Sequence, residues 1–425
     1  MNAPREGSLE SALQREGSSL LERYRAVRDQ TVRLAEPLSA EDACVQSMPD
    51  ASPAKWHLAH TTWFFETFVL EPHEKPFRCR HPAFRVLFNS YYNGVGDQHP
   101  RPRRGLLTRP SLAEVLAYRE DVDGRMERLL EALDRMKLTE LITLGLNHEQ
   151  QHQELLLTDV KHLLAQNPLA PAYHDRVPYP GVAQALGWRR FDGGLVQVGH
   201  DREGFAFDNE SPRHSVHLEP FELASRLVTN AEYRAFVEAG GYRAPALWLS
   251  EGWEWLRANA IEQPMYWSRE NERPWNEFTL SGRMPLQDSL PAVHLSYFEA
   301  DAYARWWGAR LPSESEWELA AQTAPVQGHF VESGQLHPAA AANGDLEQLF
   351  GDAWEWTQSS YAPYPGYRTA EGAIGEYNGK FMVNQYVLRG GSCATPADHI
   401  RASYRNFFPT SARWQFSGIR LARDA

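Results

Sequence analysis

The chain has 425 residues, 42% hydrophobic and 23% charged, an ordinary globular composition with room for two or three domains. Lys and Arg number 43 against 55 Asp and Glu, a net charge of −12, so the overall electrostatic footprint of a nucleic-acid binder is missing. No run reaches the ~18 apolar residues of a membrane span, and the charged start MNAPREGSLESALQREGSS has no signal-peptide core. The three cysteines (Cys44, Cys79, Cys393) are too few for a disulfide framework and read as reduced thiols, so a cytoplasmic protein is expected.

In chain order, residues 9–36 carry an amphipathic, heavily charged helical pattern that breaks before Pro37. A second helix opens at Ser52-Pro53, an N-cap followed by a first-turn proline, and runs through WHLAHTTWFFETFVL to about Leu70. About 40 residues without strong periodicity follow, including FNSYYNGVGDQHPRPRRG; a loop of that length is usually functional or disordered. Helix three runs from Ser111 to about Leu133, and helix four covers LTELITLGLNHEQQHQELLLTDVKHLLAQ, ending before Pro168. Four long helices with apolar stripes predict a helix bundle over 1–166.

Prolines 168, 171, 178 and 180 mark 167–187 as a linker or wrapping segment. From 188 to 425 the pattern changes to short strand-like runs (FDGGLVQVGH, HSVHLEPFELA, QYVLRGGSC), short helices (TNAEYRAFVEAGG, SYFEADAYARWWGA), glycine turns and many tryptophans. An irregular α+β domain is expected, making the whole an α + (α+β) chain. The aromatic content, 14 Trp, 17 Tyr and 19 Phe, serves either the core or sites for flat and cationic ligands.

The sharpest chemical signal is His148-Glu-Gln-Gln-His152. Residues four apart share a helix face, so both imidazoles can bind one metal ion. The string also fits the zinc-protease pattern H-E-x-x-H with Glu149 as base, but the downstream QELLLTDVKHLL lacks the glycine turn and later histidine of the longer motif. Leu144, Leu155 and Leu156 flank the pair, which argues against a purely solvated face, and a buried imidazole pair without a partner is costly. A third ligand can come from WHLAH on helix two, where spacing alone leaves His57 and His60 both open. Three neutral imidazoles with open positions suit zinc or ferrous iron.

WHLAH followed by HEQQHQE resembles the metal-binding bundle of the DinB-like superfamily. The second half resembles the formylglycine-generating-enzyme fold, an irregular α+β fold of the C-type-lectin kind. The matching segments include GGLVQVGHDREGFAFDNESPRHSVHLEPFELASRLVTNAEYRAFVEAGGY, PAVHLSYFEADAYARWWGARLPSESEWELAA, GDAWEWT, VLRGGS and FSGIRLARD. In this order, across about 40–425, they resemble the hercynine oxygenase (ergothioneine sulfoxide synthase) family.

That resemblance implies a non-haem Fe(II) enzyme that uses O2 to join a cysteinyl sulfur to C2 of hercynine, trimethylhistidine, as a sulfoxide. Its site would lie between the bundle and the second domain. Carried over by position, the iron ligands are His60, His148 and His152; Gln151 bonds the hercynine imidazole and Asn406 its carboxylate. Cation–π attraction from aromatic faces suits the trimethylammonium head. Tyr91 and Tyr92 match a pair that supplies the catalytic hydroxyl in one subgroup, steering the reaction to C–S bond formation rather than thiol dioxygenation.

Phe407-Phe408 stands where users of γ-glutamylcysteine carry an aspartate at the second position, which implies free L-cysteine as donor. The RPRR loop (Arg101, Arg103, Arg104) offers charge for the donor's carboxylate. With Cys393 alone in the second half, the cysteine pair of formylglycine generation is missing. The rival readings are a relative that couples cysteine to C5 of histidine in the ovothiol pathway, a selenium-donor relative, a zinc protease and a non-catalytic metal- or thiol-binding module.

Overall fold

The protein is described by a computed structural model covering residues 19–132, 138–179, 181–182, 184–271, 273–342, 344–369, 375 and 378–425. Residues 9–18 of the first expected helix, Leu133 at the end of the third, and Pro180 lie outside the described residues. The described chain forms two units, one of residues up to Gln166 together with Gly375, the other of the remaining residues from Asn167.

In the first unit, α1 (Leu20–Ala35) begins with a capping box: Ser19 Oγ accepts from Glu22 N (3.2 Å), and Glu22 Oε2 accepts from Ser19 N (2.6 Å). Helix α2 spans Ala54–Phe65 and continues through a π turn at Glu66–Leu70, close to its expected end. Its start differs from expectation. Pro53 occupies the N-cap position, and Ser52 does not cap the helix; its hydroxyl accepts from Arg104 Nη1 (2.9 Å) and its N–H donates to Asp159 Oδ2 (2.7 Å). Helix α3 (Leu112–Ala132) follows a reciprocal Ser111/Glu114 pair, and α4 covers Thr139–Ala165.

Every residue of α2 is buried, because it packs against both α3 and α4 while α1 packs on α4. An inner helix needs no solvent-facing polar stripe, so WHLAHTTWFF sets apolar and aromatic residues all round and gives its buried His and Thr side chains partners inside the bundle. The α2–α4 approach depends on Gly145. A Cβ there would come within 2.7 Å of the Phe64 ring and 2.8 Å of the Phe65 ring. Gly145 lies one turn before His148, so the contact that seats the aromatic rings also sets how near the histidine-bearing faces come.

The second unit is built from short elements. Strands β1 (Trp188–Phe191), β4 (Phe221–Ala224) and β12 (Ala422–Asp424) form one sheet; β2 (Gly194–Val198) pairs with β3 (His214–Leu218); and β5 (Trp267–Ser268), β6 (Asn276–Thr279) and β7 (Gly282–Pro285) form another. The fourth sheet runs β10–β9–β8–β11, from Asn406–Pro409, Gln385–Arg389, Trp354–Ser360 and Ser417–Gly418. All pairings are antiparallel except β11 with β8.

Helices α5 (Asn230–Glu238), α7 (Tyr297–Trp307) and α8 (Glu314–Ala321) each open with a capping box, and α6 (Ser250–Ala258) lies between the first two. The proline-rich stretch belongs to this unit: Tyr173 and His174 donate to Leu280 O (2.7 and 3.2 Å), and Gly187 N donates to Ser225 Oγ (2.9 Å). None of the described helices is long and apolar enough to cross a membrane.

Gly145→Ala is expected to destabilise the protein. Overpacking two rigid rings costs about 1–3 kcal/mol, more than the ~1 kcal/mol that alanine gains in helix propensity. Chemical denaturation checks this, and a midpoint at or above that of the wild type would show that the bundle accommodates the methyl group.

Candidate metal centre

Helix α2 supplies His60, and α4 supplies His148 and His152 one turn apart. All three are buried, and each offers a ring nitrogen such that the three atoms lie within 4.8 Å of one another. His60 Nδ1 lies 2.6 Å from the carbonyl oxygen of Phe88, so Nδ1 carries the proton and Nε2 keeps a lone pair. That Nε2 is 3.3 Å from His148 Nε2. Two nitrogens bound to one ion at about 2.1 Å sit about 3.0–3.4 Å apart at octahedral or tetrahedral angles, so the pair is spaced to share a metal.

Burial lowers the pKa of all three, His148 to about 3 and the others well below the ordinary imidazole value. Neutral imidazoles with available lone pairs are what ligation requires. The His60 ring lies nearly parallel to Trp56 (centroids 4.5 Å, 12°) and Trp63 (5.6 Å, 15°), which fixes its plane.

His57, left open as a ligand by spacing, is engaged on both nitrogens. Nδ1 lies 2.8 Å from His152 Nδ1, and Nε2 lies 3.0 Å from Asp159 Oδ2. The geometry groups His60 with the α4 pair.

Glu149 is fully buried and faces other helices. Its carboxylate accepts from Arg28 Nη1 (2.8 Å) on α1, Arg119 Nη2 on α3 and Thr31 Oγ1 (2.6 Å) on α1. Burial would raise its pKa, but Arg119, Arg28 and the Thr31 hydroxyl outweigh that and hold it at about 2. A carboxylate this acidic, held by two guanidiniums, cannot serve as the water-activating base of a zinc protease. The H-E-x-x-H string therefore carries two histidines that could share a metal ion, with a structural glutamate between them.

Comparison with known proteins agrees with this division. Residues 23–156 match the DinB superfamily, and residues 189–345 and 339–425 match the Sulfatase-modifying factor enzyme 1-like domain. A hercynine oxygenase of Mycolicibacterium thermoresistibile is 33% identical, with 93% of each chain covered. The chain belongs to the hercynine oxygenase family. A second hercynine oxygenase, from Mycobacterium tuberculosis, is 32% identical over 93% of this chain and 96% of its own. Ergothioneine biosynthesis protein 1 of Schizosaccharomyces pombe is 29% identical over 52% of this chain and 28% of its own.

The other residues singled out by resemblance to the hercynine oxygenase family fall in both units. Gln151 is half-buried on α4 between the paired histidines. Tyr92 is buried, its ring 5.6 Å from Trp63, 5.1 Å from Phe68 and 6.4 Å from Phe64, whose own ring lies 5.2 Å from His148; half-buried Tyr91 stacks on it at 4.7 Å. Asn89 pins this turn, accepting from Tyr92 N (3.2 Å) and donating to Tyr92 O (3.1 Å) and Gly96 O (3.1 Å). Adjacent residues of the long loop thus hold the triad, through Phe88, and the tyrosine pair, through Asn89.

Arg101 and Arg103 are exposed, with Arg101 bonded to Asp50 O, whereas Arg104 is buried and lies over Trp56 with its guanidinium carbon 3.4 Å from the ring centroid. In the second unit, Asn406, Phe407 and Phe408 are half-buried on β10; Phe407 stacks on Tyr361 (4.0 Å) and Phe408 meets Trp414 edge-on (5.6 Å). Sequence reasoning missed the Asp159–His57 pair and the Arg28–Glu149–Arg119 cluster. A signal for the latter existed: Arg28 falls on the buried stripe of α1 with Tyr24, Val27, Thr31 and Leu34, where an unpaired charge is untenable.

Glu149→Gln is expected to lower stability at pH 7 by about 3 kcal/mol, since it leaves the buried Arg119 guanidinium without its anion and Arg28 with Asp123 alone. With its pKa depressed from the ordinary 4.5 to about 2, Glu149 contributes stability that is present above pH 4.5 and lost as pH falls toward 2. Denaturation at stepped pH should therefore show the gap between variant and wild type closing on acidification. A gap that is constant with pH would refute the ion-pair account.

Proposed function

We propose that this chain is an Fe(II)- and O2-dependent sulfoxide synthase of ergothioneine biosynthesis, joining the sulfur of L-cysteine to C2 of hercynine. The observation that carries the reading is the buried, neutral three-histidine cluster on α2 and α4, in a chain 33% identical along nearly its whole length to a hercynine oxygenase. Atoms and electrons balance with O2 alone. The thiol S–H and the imidazole C2–H are lost, a C–S bond forms, one oxygen atom goes to sulfur, and the other leaves as water with both hydrogens.

His60, His148 and His152 would hold the iron, which when bound supplies open coordination positions and the redox chemistry for O2. Neutral ligands leave the ion its full charge, which favours an incoming thiolate. Gln151, one residue from His152, would hydrogen-bond the imidazole of hercynine and so present its C2. A hydroxyl of the Tyr91–Tyr92 pair acts as the proton donor that favours C–S coupling over oxidation of the thiol. Holding the reactants in register in this way lowers the barrier by up to ~7–11 kcal/mol.

For the donor's carboxylate, Arg104 suits better than the exposed Arg101 and Arg103. Its hydrogen bonds go to the hydroxyls of Ser52 (2.9 Å) and Ser90 (3.0 Å), and among the described residues no carboxylate pairs with it. Burial and the neighbouring Arg101 lower its pKa to about 9 against the opposing attraction of Asp159, so a further anion beside it would be favoured. Phe408, apolar where an aspartate would recognise the γ-glutamyl donor, supports free cysteine.

The decisive assay gives anaerobically prepared Fe(II) protein hercynine, O2 and either cysteine or γ-glutamylcysteine, and reads products by mass spectrometry. Hercynylcysteine sulfoxide is expected from cysteine, whereas turnover confined to γ-glutamylcysteine would overturn the donor assignment. In the same assay one of Tyr91→Phe and Tyr92→Phe shifts product toward cysteine sulfinate; no shift in either places the hydroxyl elsewhere. Arg104→Met should raise the KM for cysteine at least tenfold, about the worth of one charge-assisted contact, and leave the KM for hercynine unchanged. Equal changes in both would make Arg104 a packing residue.

A further inference from the structure

We infer that Asp159 and His57 form a relay that positions His152 for metal binding and strengthens it as a donor. The inference rests on the triad being the metal site. The proton positions follow from donor and acceptor chemistry. A carboxylate only accepts, so His57 Nε2, 3.0 Å from Asp159 Oδ2, carries the hydrogen. In the neutral form of the ring Nδ1 has only a lone pair, so there the 2.8 Å contact to His152 Nδ1 puts the hydrogen on His152. That leaves the lone pair of His152 on Nε2, the tautomer that can ligate beside His60 and His148.

The relay is anchored at its far end, because the N–H of Ser52 donates to the same Asp159 oxygen at 2.7 Å and restrains the carboxylate. All its members are buried, and in a low-dielectric interior each hydrogen bond polarises the next. His60, by contrast, is backed by the neutral carbonyl of Phe88. The ligand set is therefore electronically uneven, with a carboxylate's charge reaching His152 through an imidazole. His57 and His60 lie one turn apart on α2, so one helix provides a ligand and also orients a ligand on α4. His57 is a positioning residue that acts on the metal site through His152.

The test titrates Co(II) into the full-length apoprotein and reads visible ligand-field absorption. His57→Phe should weaken Co(II) binding by about 10–100-fold, the usual loss when a ligand's hydrogen-bond partner is removed, and shift the absorption bands. His57→Gln, whose side-chain carbonyl can accept from His152 Nδ1–H, should recover affinity relative to the Phe variant. Asp159→Asn keeps an oxygen for Ser52 and His57 but discards the charge, so a smaller loss of several-fold is expected.

Wild-type affinity in His57→Phe, or equal losses in the Phe and Gln variants, would overturn the relay. If the Phe variant does not fold, wild-type affinity in Asp159→Asn overturns it as well. His60→Ala separates the two readings: undiminished Co(II) binding there defeats the metal site itself, whereas loss there with intact binding in the His57 variants defeats only the relay.

Discussion

The bundle depends on one carboxylate that is wholly buried. Glu149 sits between His148 and Gln150 on α4, and its bonds reach Arg28 and Thr31 on α1 and Arg119 on α3. Arg28 in turn bonds Asp123 (2.7 Å) on α3 and Thr62 (3.0 Å) on α2, and Arg119 bonds Thr61 (3.2 Å) and the Arg28 carbonyl (2.8 Å). All four helices meet in this network. A residue on one side of α4 that is fixed this firmly fixes the helix's rotation, and with it the direction in which His148 and His152 point. Apolar packing alone tolerates slippage of a helix by fractions of a turn; a buried charge with directional partners does not.

The second unit uses the same device in place of long helices. Arg389 bonds Glu314 and Glu318 (3.0 Å each), Arg405 clasps Glu314, and Arg420 clasps Glu355, which also accepts from Trp317 Nε1 (2.8 Å). All of these residues except Arg405 lie in the segments that made the second half legible: SESEWELAA, GDAWEWT, VLRGGS and FSGIRLARD. The motifs there carry buried ion pairs that lock short irregular elements together, because elements of two to eleven residues bury too little apolar area each to hold a unique register.

What could be read beforehand follows from how local each signal is. The four bundle helices, α5 and α7 were visible because periodicity and capping act within a few residues. Strand β8 was quoted only as a motif, since WEWT is buried on both faces and shows no alternation. Helix α8 was missed as an element although Ser313 and Glu316 spell a capping box at its start. The paired histidines of α4 were legible from i, i+4 spacing. The relation of His57 to His60 was not, since it is decided by Asp159 and Phe88, which are remote in sequence. Ser52 was misread for the same reason: in isolation Ser-Pro is a helix cap, but Arg104 and Asp159 bring long-range partners that claim both its hydroxyl and its amide.

Burial also sorts the charges of the first unit by purpose. Taking an imidazole out of water keeps it neutral and so ready to bind a metal, while taking a guanidinium or carboxylate out of water requires a partner. Arg28 and Arg119 meet that demand with Glu149. Arg104, equally buried and stacked on the Trp56 ring that itself lies parallel to His60, meets it with two neutral hydroxyls. Among the described residues the first unit pairs its other buried arginines with carboxylates, Arg28 and Arg119 with Glu149 and Arg125 with Glu74, and leaves Arg104 to hydroxyls and an aromatic face.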